Sequence, residues 1–224
     1  MDIGALKRKI LLVSLAAPVV VGAMLFVPAA TLDYWQAWAY MAVLFAPVAF
    51  VVLYFLKNDP AFLERRLRTR EKEARQGLII KAGALVFLAG FLIPGLDRRF
   101  GWSQVPAEIS IAADIAVFLG YALVFLVFRE NSYAGRTIQV EKGQRVISTG
   151  PYSVIRHPMY LGTLLMYLAT PLALGSYVAV PMFLLLVPLI VLRILNEEEV
   201  LRRDLPGYAD YCKKTKYRLL PFIW

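Results

Sequence analysis

The stretch ILLVSLAAPVVVGAMLFVPAATL, residues 10–32, runs for 23 residues without a charge, and after Asp33 a second, YWQAWAYMAVLFAPVAFVVLYFL at 34–56, does the same. At about 1.5 Å of rise per residue, either run as a helix crosses a hydrocarbon core of about 30 Å. The apolar residues are continuous rather than alternating, which favours helices over a barrel. The remainder of the chain agrees with its beginning. Of 224 residues, 59% are hydrophobic and only 18% charged, and mean hydropathy is +0.60, whereas a soluble domain is about half apolar and about a quarter charged. A third span is expected over 78–96, with Lys81 snorkelling from its end, and a fourth over 109–128, with Asp114 inside it as a polar anchor or packing partner. The last apolar stretch, Pro158–Leu192, has 35 residues, too many for one span and few for two. Gly175-Ser176 at its middle reads as a tight turn between two helices. The fold class is therefore all-α: a polytopic integral membrane protein of about six transmembrane helices that ends in a helical hairpin.

The basic residues give the direction. With Lys7-Arg8-Lys9 on the inner side and the spans alternating, 23 of the 25 Lys and Arg residues share one face, and only Arg98 and Arg99 fall on the other. Both termini are thus expected in the cytoplasm. The net charge of +9 reads as a footprint on anionic membrane lipid and not as a nucleic-acid groove. A single cysteine (Cys212) and a single histidine (His157) exclude a disulfide framework and leave no His/Cys metal cluster. The first segment is longer than the apolar core of a cleaved signal peptide. The chain divides into N-terminal transmembrane helices at 1–128, with a basic loop at 57–77, and a C-terminal region at 129–224. Asn58–Gln76 reads as a polar interfacial loop, partly helical after Pro60.

Polar clusters at span ends carry information, because a span needs few polar residues. Two lie on the basic face: residues 149–162, TGPYSVIRHPMYLG, and Arg193 with Asn196-Glu197-Glu198-Glu199, followed by Pro206-Gly207-Tyr208 and Tyr211. A hairpin returns the start of its first helix and the end of its second to the same side, so His157 and Glu197 are expected to approach each other. Each piece also has a plain reading. Pro158 suits the first turn of a helix, Arg193 and Glu197 have the spacing of a helical ion pair, and Tyr152, Tyr160, Tyr208 and Tyr211 suit an interfacial aromatic belt.

Taken together, GPYSVIRHPMYLG, the later NEEEVL and PGYADYCKKTKYRLLPFIW resemble the isoprenylcysteine carboxyl methyltransferase family, with related motifs in phospholipid methyltransferases. The resemblance covers 131–224, including the lead-in QVEKGQRVISTG. It implies an integral-membrane enzyme that uses S-adenosylmethionine in a cytoplasmic pocket built by the C-terminal helices, which agrees with the lack of G-x-G-x-x-G and Walker motifs. It further implies cofactor contacts at Gly150, His157, Pro158, Met159, Tyr160, Leu165, Ala169 and Glu197, with Glu198 as a second contact, and a role for Arg193 in orienting the acceptor. The acceptor it implies is hydrophobic or lipid-attached, with methylation of a carboxylate favoured because arginine presents two parallel N–H donors to one. N-methylation of a phospholipid amine and NADPH-dependent reduction of a sterol or enone stand as alternatives.

Overall fold

The computed structural model describes residues 3–67 and 74–224. Its elements are helices α1 (Ile3–Ala29), α2 (Trp35–Asn58), α3 (Pro60–Arg66), α4 (Ala74–Phe100), α5 (Ala107–Glu130), α6 (Pro158–Ala173), α7 (Val180–Leu184), α8 (Leu186–Asp204) and α9 (Tyr208–Lys214), with one 3₁₀ turn at Gly150–Ser153. Among the described residues there is no strand, and the all-α expectation holds. Among the described residues five segments are long and apolar enough to cross a membrane: Gly4–Ala29, Trp35–Asn58, Gln76–Phe100, Ala107–Glu130 and Val180–Asp204. The expected first arm of the hairpin, α6, has 16 residues, a rise of about 24 Å. The turn after it falls at Gly175, whose φ of +71° a side chain would resist. The second arm starts with α7 and continues through α8 to Asp204, twelve residues past the apolar run that announced it.

The bundle has two polar ends. On one, the start of α1 meets the short α3 through a Leu6, Ile10, Phe62 and Phe128 cluster, and Lys9 Nζ donates to the Leu67 carbonyl at 3.3 Å. The loop expected over 58–76 contains α3, which follows from local chemistry. Asp59 caps it by accepting from the Phe62 amide at 3.0 Å, and Pro60 takes the first helical position. The part of this loop at 68–73 lies outside the described residues. At the far end, Asp97 is buried and accepts from the Ser103 amide (2.7 Å) and from the hydroxyls of Ser103 (2.6 Å) and Ser176. Tyr34 donates there to the Leu174 carbonyl. These bonds pin the turn of the hairpin to α4.

Helices α5 and α6 cross closely. A Cβ added to Gly162 would lie 2.7 Å from the Gly120 carbonyl oxygen, and one added to Gly120 would lie 2.7 Å from that of Gly162. Small residues at such a crossing let two backbones touch where no hydrophobic force drives helices together. The consequence is positional, because the first turn of α6 is set firmly at the end of α5. Asp114, expected as an anchor or packing partner toward the outer surface, is buried on α5.

Candidate active site

Arg156 and His157 precede α6 in an extended segment that pairs with the C-terminal tail. The amides of Arg156 and His157 donate to the carbonyls of Tyr217 and Arg218, both at 2.9 Å. His157 is also the N-terminal cap residue of α6, followed by Pro158 at the first helical position. The end of α8 comes back to this point, as the hairpin requires. The residue that meets His157 is Glu198, however, not the expected Glu197. His157 Nε2 lies 3.3 Å from Glu198 Oε1, which also accepts from Arg156 Nε at 2.6 Å, while Glu198 Oε2 accepts from Arg218 Nε at 3.0 Å. The side chains of Arg156, His157 and Glu198 are each 4% exposed. Adjacent helical residues point about 100° apart, so the neighbour of Glu198 faces a different space.

That space is an open cavity between α6, α8, α9 and the loop after α5. His157, Met159, Tyr160, Arg193 and Glu197 line it, with the loop after α5 and Tyr208 and Tyr211 of α9 closing its sides. Tyr160 is the centre of a chain of bonds. Its hydroxyl accepts from Arg193 Nε at 2.9 Å and donates to Glu197 Oε2 at 2.5 Å. Arg193 uses its other nitrogens on Gln76 Oε1 (2.9 Å) and on the carbonyl of Arg136 (2.7 Å), and Gln76 in turn donates to Asn196 at 2.6 Å. One guanidinium thus ties α4, α6, α8 and the loop after α5 together. Burial pushes the Tyr211 phenol up to about 12 and the Tyr208 phenol up as well, so both are neutral hydroxyls near pH 7. The Tyr211 hydroxyl donates to the Tyr152 carbonyl at 2.7 Å. The buried Tyr208 hydroxyl has no hydrogen-bond partner among the described residues.

Other expected contacts lie elsewhere. Gly150 is exposed at the 3₁₀ turn, with φ +55° and Glu130 beside it. Pro158 is buried in the first turn of α6. Leu165 is 40% exposed on the outside of that helix, and Ala169 belongs to the apolar core with Ala173 and Leu174. Neither of the last two borders the cavity.

A second, largely apolar cleft of about 930 Å³, open edge included, runs between α4, α6 and α8. Ile80, Gly83, Phe87, Leu186 and Ile190 line its walls, and Tyr160, Arg193 and Arg136 form its polar end. Tyr160 and Arg193 border both spaces. Sequence reading did not find Arg136 or Gln76 as site residues, and it placed Tyr208 in the second polar cluster without a contact of its own. The N-terminal half also contributes unannounced support. From α3, Arg65 Nε donates to the Ser132 carbonyl at 2.9 Å and Arg66 to the Gly135 carbonyl at 3.0 Å, fixing the loop over the cavity.

Comparison with known proteins agrees with the motifs. Residues 109–205 match the model of the phospholipid methyltransferase family. The match runs from α5 to the end of α8 and bears out the resemblance. A delta(14)-sterol reductase of Mus musculus is 34% identical over 105 residues, 43% of this chain, and the chain spans a quarter (25%) of that relative's length. Among solved structures, the eukaryotic intramembrane Ras methyltransferase, an isoprenylcysteine carboxyl methyltransferase, aligns with all (100%) of this chain and 88% of its own, at a TM-score of 0.49 and 14% identity.

Proposed function

We propose that this protein is a membrane methyltransferase that takes a methyl group from S-adenosylmethionine and places it on the carboxylate of a hydrophobic or lipid-attached acceptor. The observation that carries the reading is the meeting of a polar cavity and an apolar cleft at one pair of side chains, Tyr160 and Arg193. Such a junction gives a water-soluble cofactor and a membrane-dissolved acceptor a common wall. The residues suit the cofactor, because a carboxylate (Glu197) and an orphaned buried hydroxyl (Tyr208) face a cavity whose other walls include Met159 and Tyr160.

Bound S-adenosylmethionine would supply a methyl group on a sulfonium, open to in-line displacement by an ionised carboxylate, and such a nucleophile needs no general base. The work of the protein is then alignment and exclusion of water. Glu197 accepts from the ammonium or ribose of the cofactor, and its hydrogen bond from Tyr160 fixes its rotamer. His157, with the first turn of α6, offers donors and a positive helix end to a carboxylate. Glu198 holds Arg156 and His157 in place from beneath. Arg193 steers the acceptor carboxylate, and Gly150, Pro158, Leu165 and Ala169 serve the site at greater distance through the turn and the body of α6. The region 129–224 carries the chemistry and 1–128 supports it. We place the site face and both termini in the cytoplasm, on the distribution of Lys and Arg. Labelling of Cys212 by an impermeant maleimide in intact cells would reverse that orientation.

A second reading is NADPH-dependent reduction, which the similarity to a sterol reductase favours. Calorimetric titration of the purified protein with S-adenosylhomocysteine and, separately, with NADPH separates the two. We expect binding of the first alone. Arg193→Ala then tests the acceptor. Loss of turnover with a hydrophobic carboxylic acid, with S-adenosylhomocysteine affinity nearly intact and poor rescue by Arg193→Lys, supports carboxyl methylation. Full activity in Arg193→Ala, or activity on a phospholipid amine alone, moves the assignment to N-methylation.

A further inference from the structure

The C-terminal tail does something that neither the bundle nor the cavity requires. After α9 it does not run off into solvent but turns back toward the membrane. Leu219 is buried among Tyr160, Leu164, Ile190 and Ile194. The residue before it, Arg218, accepts from the His157 amide at 2.9 Å through its carbonyl, so the tail meets the bundle at the first turn of α6. The last residues close on themselves there. The Trp224 carbonyl accepts from the amides of Arg218 (2.8 Å), Leu219 (2.9 Å) and Leu220 (3.2 Å), and the Arg218 guanidinium sits 5.3 Å from the centre of the Trp224 ring. This loop exposes Phe222 and Ile223 almost wholly, at 88% and 77%. Phe222 is held at φ +65°, a conformation that a non-glycine residue adopts at a cost.

Phe222 rests against the Tyr217 ring, 5.3 Å between centres, yet both bulky apolar side chains are displayed on a tight, internally bonded loop rather than buried. On α8, Leu192 and Leu195 are also turned outward, at 52% and 43% exposed. Just before the loop, Lys214 and Lys216 are exposed and have no ion-pair partner among the described residues. An exposed apolar tip close in sequence to two exposed lysines suits the edge of a leaflet, with hydrocarbon for the one and anionic headgroups for the other.

We infer that residues 220–224 form a re-entrant anchor that inserts into the leaflet on the site face, with Lys214 and Lys216 on its anionic headgroups. The partner is a lipid surface bearing negative charge. The anchor has a consequence for the cavity, since the same tail supplies the carbonyls that hold the Arg156 and His157 amides and the Arg218 side chain that holds Glu198. Docking of the tip braces the floor of the site. The insertion itself is independent of the reaction catalysed.

The test uses the full chain with Cys212→Ser and a single new cysteine, Ile223→Cys or, as an exposed control on α9, Ala209→Cys. Each carries an environment-sensitive nitrobenzoxadiazole label in nanodiscs of phosphatidylcholine alone or mixed with phosphatidylglycerol. The label at 223 is expected to emit at shorter wavelength, to resist aqueous iodide and to be quenched severalfold more by shallow spin-labelled lipid than the label at 209. Phosphatidylglycerol should strengthen that quenching, and Lys214→Gln with Lys216→Gln should abolish the gain. Iodide quenching at 223 equal to that at 209 overturns the anchor. Lipid quenching that ignores phosphatidylglycerol overturns its anionic partner.

Discussion

At the far end of the bundle every oxygen of Asp97 is used, on the amide and hydroxyl of Ser103 and the hydroxyl of Ser176. At the site end Glu197 and the Tyr208 hydroxyl look into a cavity, and that hydroxyl has no protein partner. Both ends bury polar groups on helices that cross a membrane, where an unmet hydrogen bond is expensive. The closed cluster explains itself as a clasp, holding the hairpin turn to α4. The open one is what the proposed cofactor site requires. Within the site end the same contrast recurs one residue apart, for Glu198 is saturated by Arg156, His157 and Arg218 while its neighbour Glu197 accepts from Tyr160 and borders the cavity.

The largest effect should come from breaking the closed half of the site. Glu198→Ala leaves Arg156 buried without its counter-charge, and we expect it to destabilise the protein by about 3–5 kcal/mol, the range for losing one partner of a buried pair. Thermal unfolding in detergent reads this directly. A melting temperature like that of the wild type would mean that the cluster is hydrated and not a structural core.

Glu197→Ala is the matched experiment on the open side. It removes one charge-assisted bond to the cofactor, worth about 1.5–3 kcal/mol or roughly ten- to a hundredfold in affinity, and His157→Ala should fall in the same range. For Glu197→Ala the melting temperature of the free protein should barely move, because the side chain supports little besides Tyr160. Calorimetry with S-adenosylhomocysteine checks it, and unchanged affinity would detach the cavity from the cofactor. Asp97→Ala is expected to do the converse. It strands two hydroxyls and an amide, costs about 1–3 kcal/mol of stability, and leaves cofactor affinity as it was.

These pairs also mark what the sequence could disclose. The uncharged runs of 10–32 and 34–56 announce helices that cross a membrane, since length and the lack of charge are properties of the local chain. The return of the hairpin follows from Gly175-Ser176, and so does the meeting of His157 with the acidic cluster. Which glutamate meets it does not follow, because four polar residues in a row, Asn196 to Glu199, cover every side of a helical turn. Only the packing of α8 decides that Glu198 turns inward. In the same way Arg65 and Arg66 look like part of a basic surface loop until α3 lays them against the carbonyls of 132–135. Ser103 and Ser176 are 73 positions apart, and nothing local ties either to Asp97. Leu165 and Ala169 came from the resemblance, and the rotation of α6 turns one outward and the other into the core.

The smallest expected effect is the sharpest test of the difference between the two ends. Tyr208 is buried with its hydroxyl unpaired, so Tyr208→Phe removes a polar atom that gains nothing in the free protein. Stability should stay the same or rise slightly, the reverse of what deleting a hydroxyl from the Asp97 cluster would do, where Ser176→Ala removes a bond already made. If the hydroxyl is reserved for the cofactor, the loss appears only on binding, as about 0.5–1.5 kcal/mol, or roughly two- to tenfold in S-adenosylhomocysteine affinity. The measurement must therefore be made twice, by thermal unfolding of the free protein and by calorimetry with the ligand. A drop in both would mean that Tyr208 already has a partner, such as an ordered water, and that its position in the cavity is structural. A drop in affinity alone, without a drop in stability, gives the open end of the bundle its purpose.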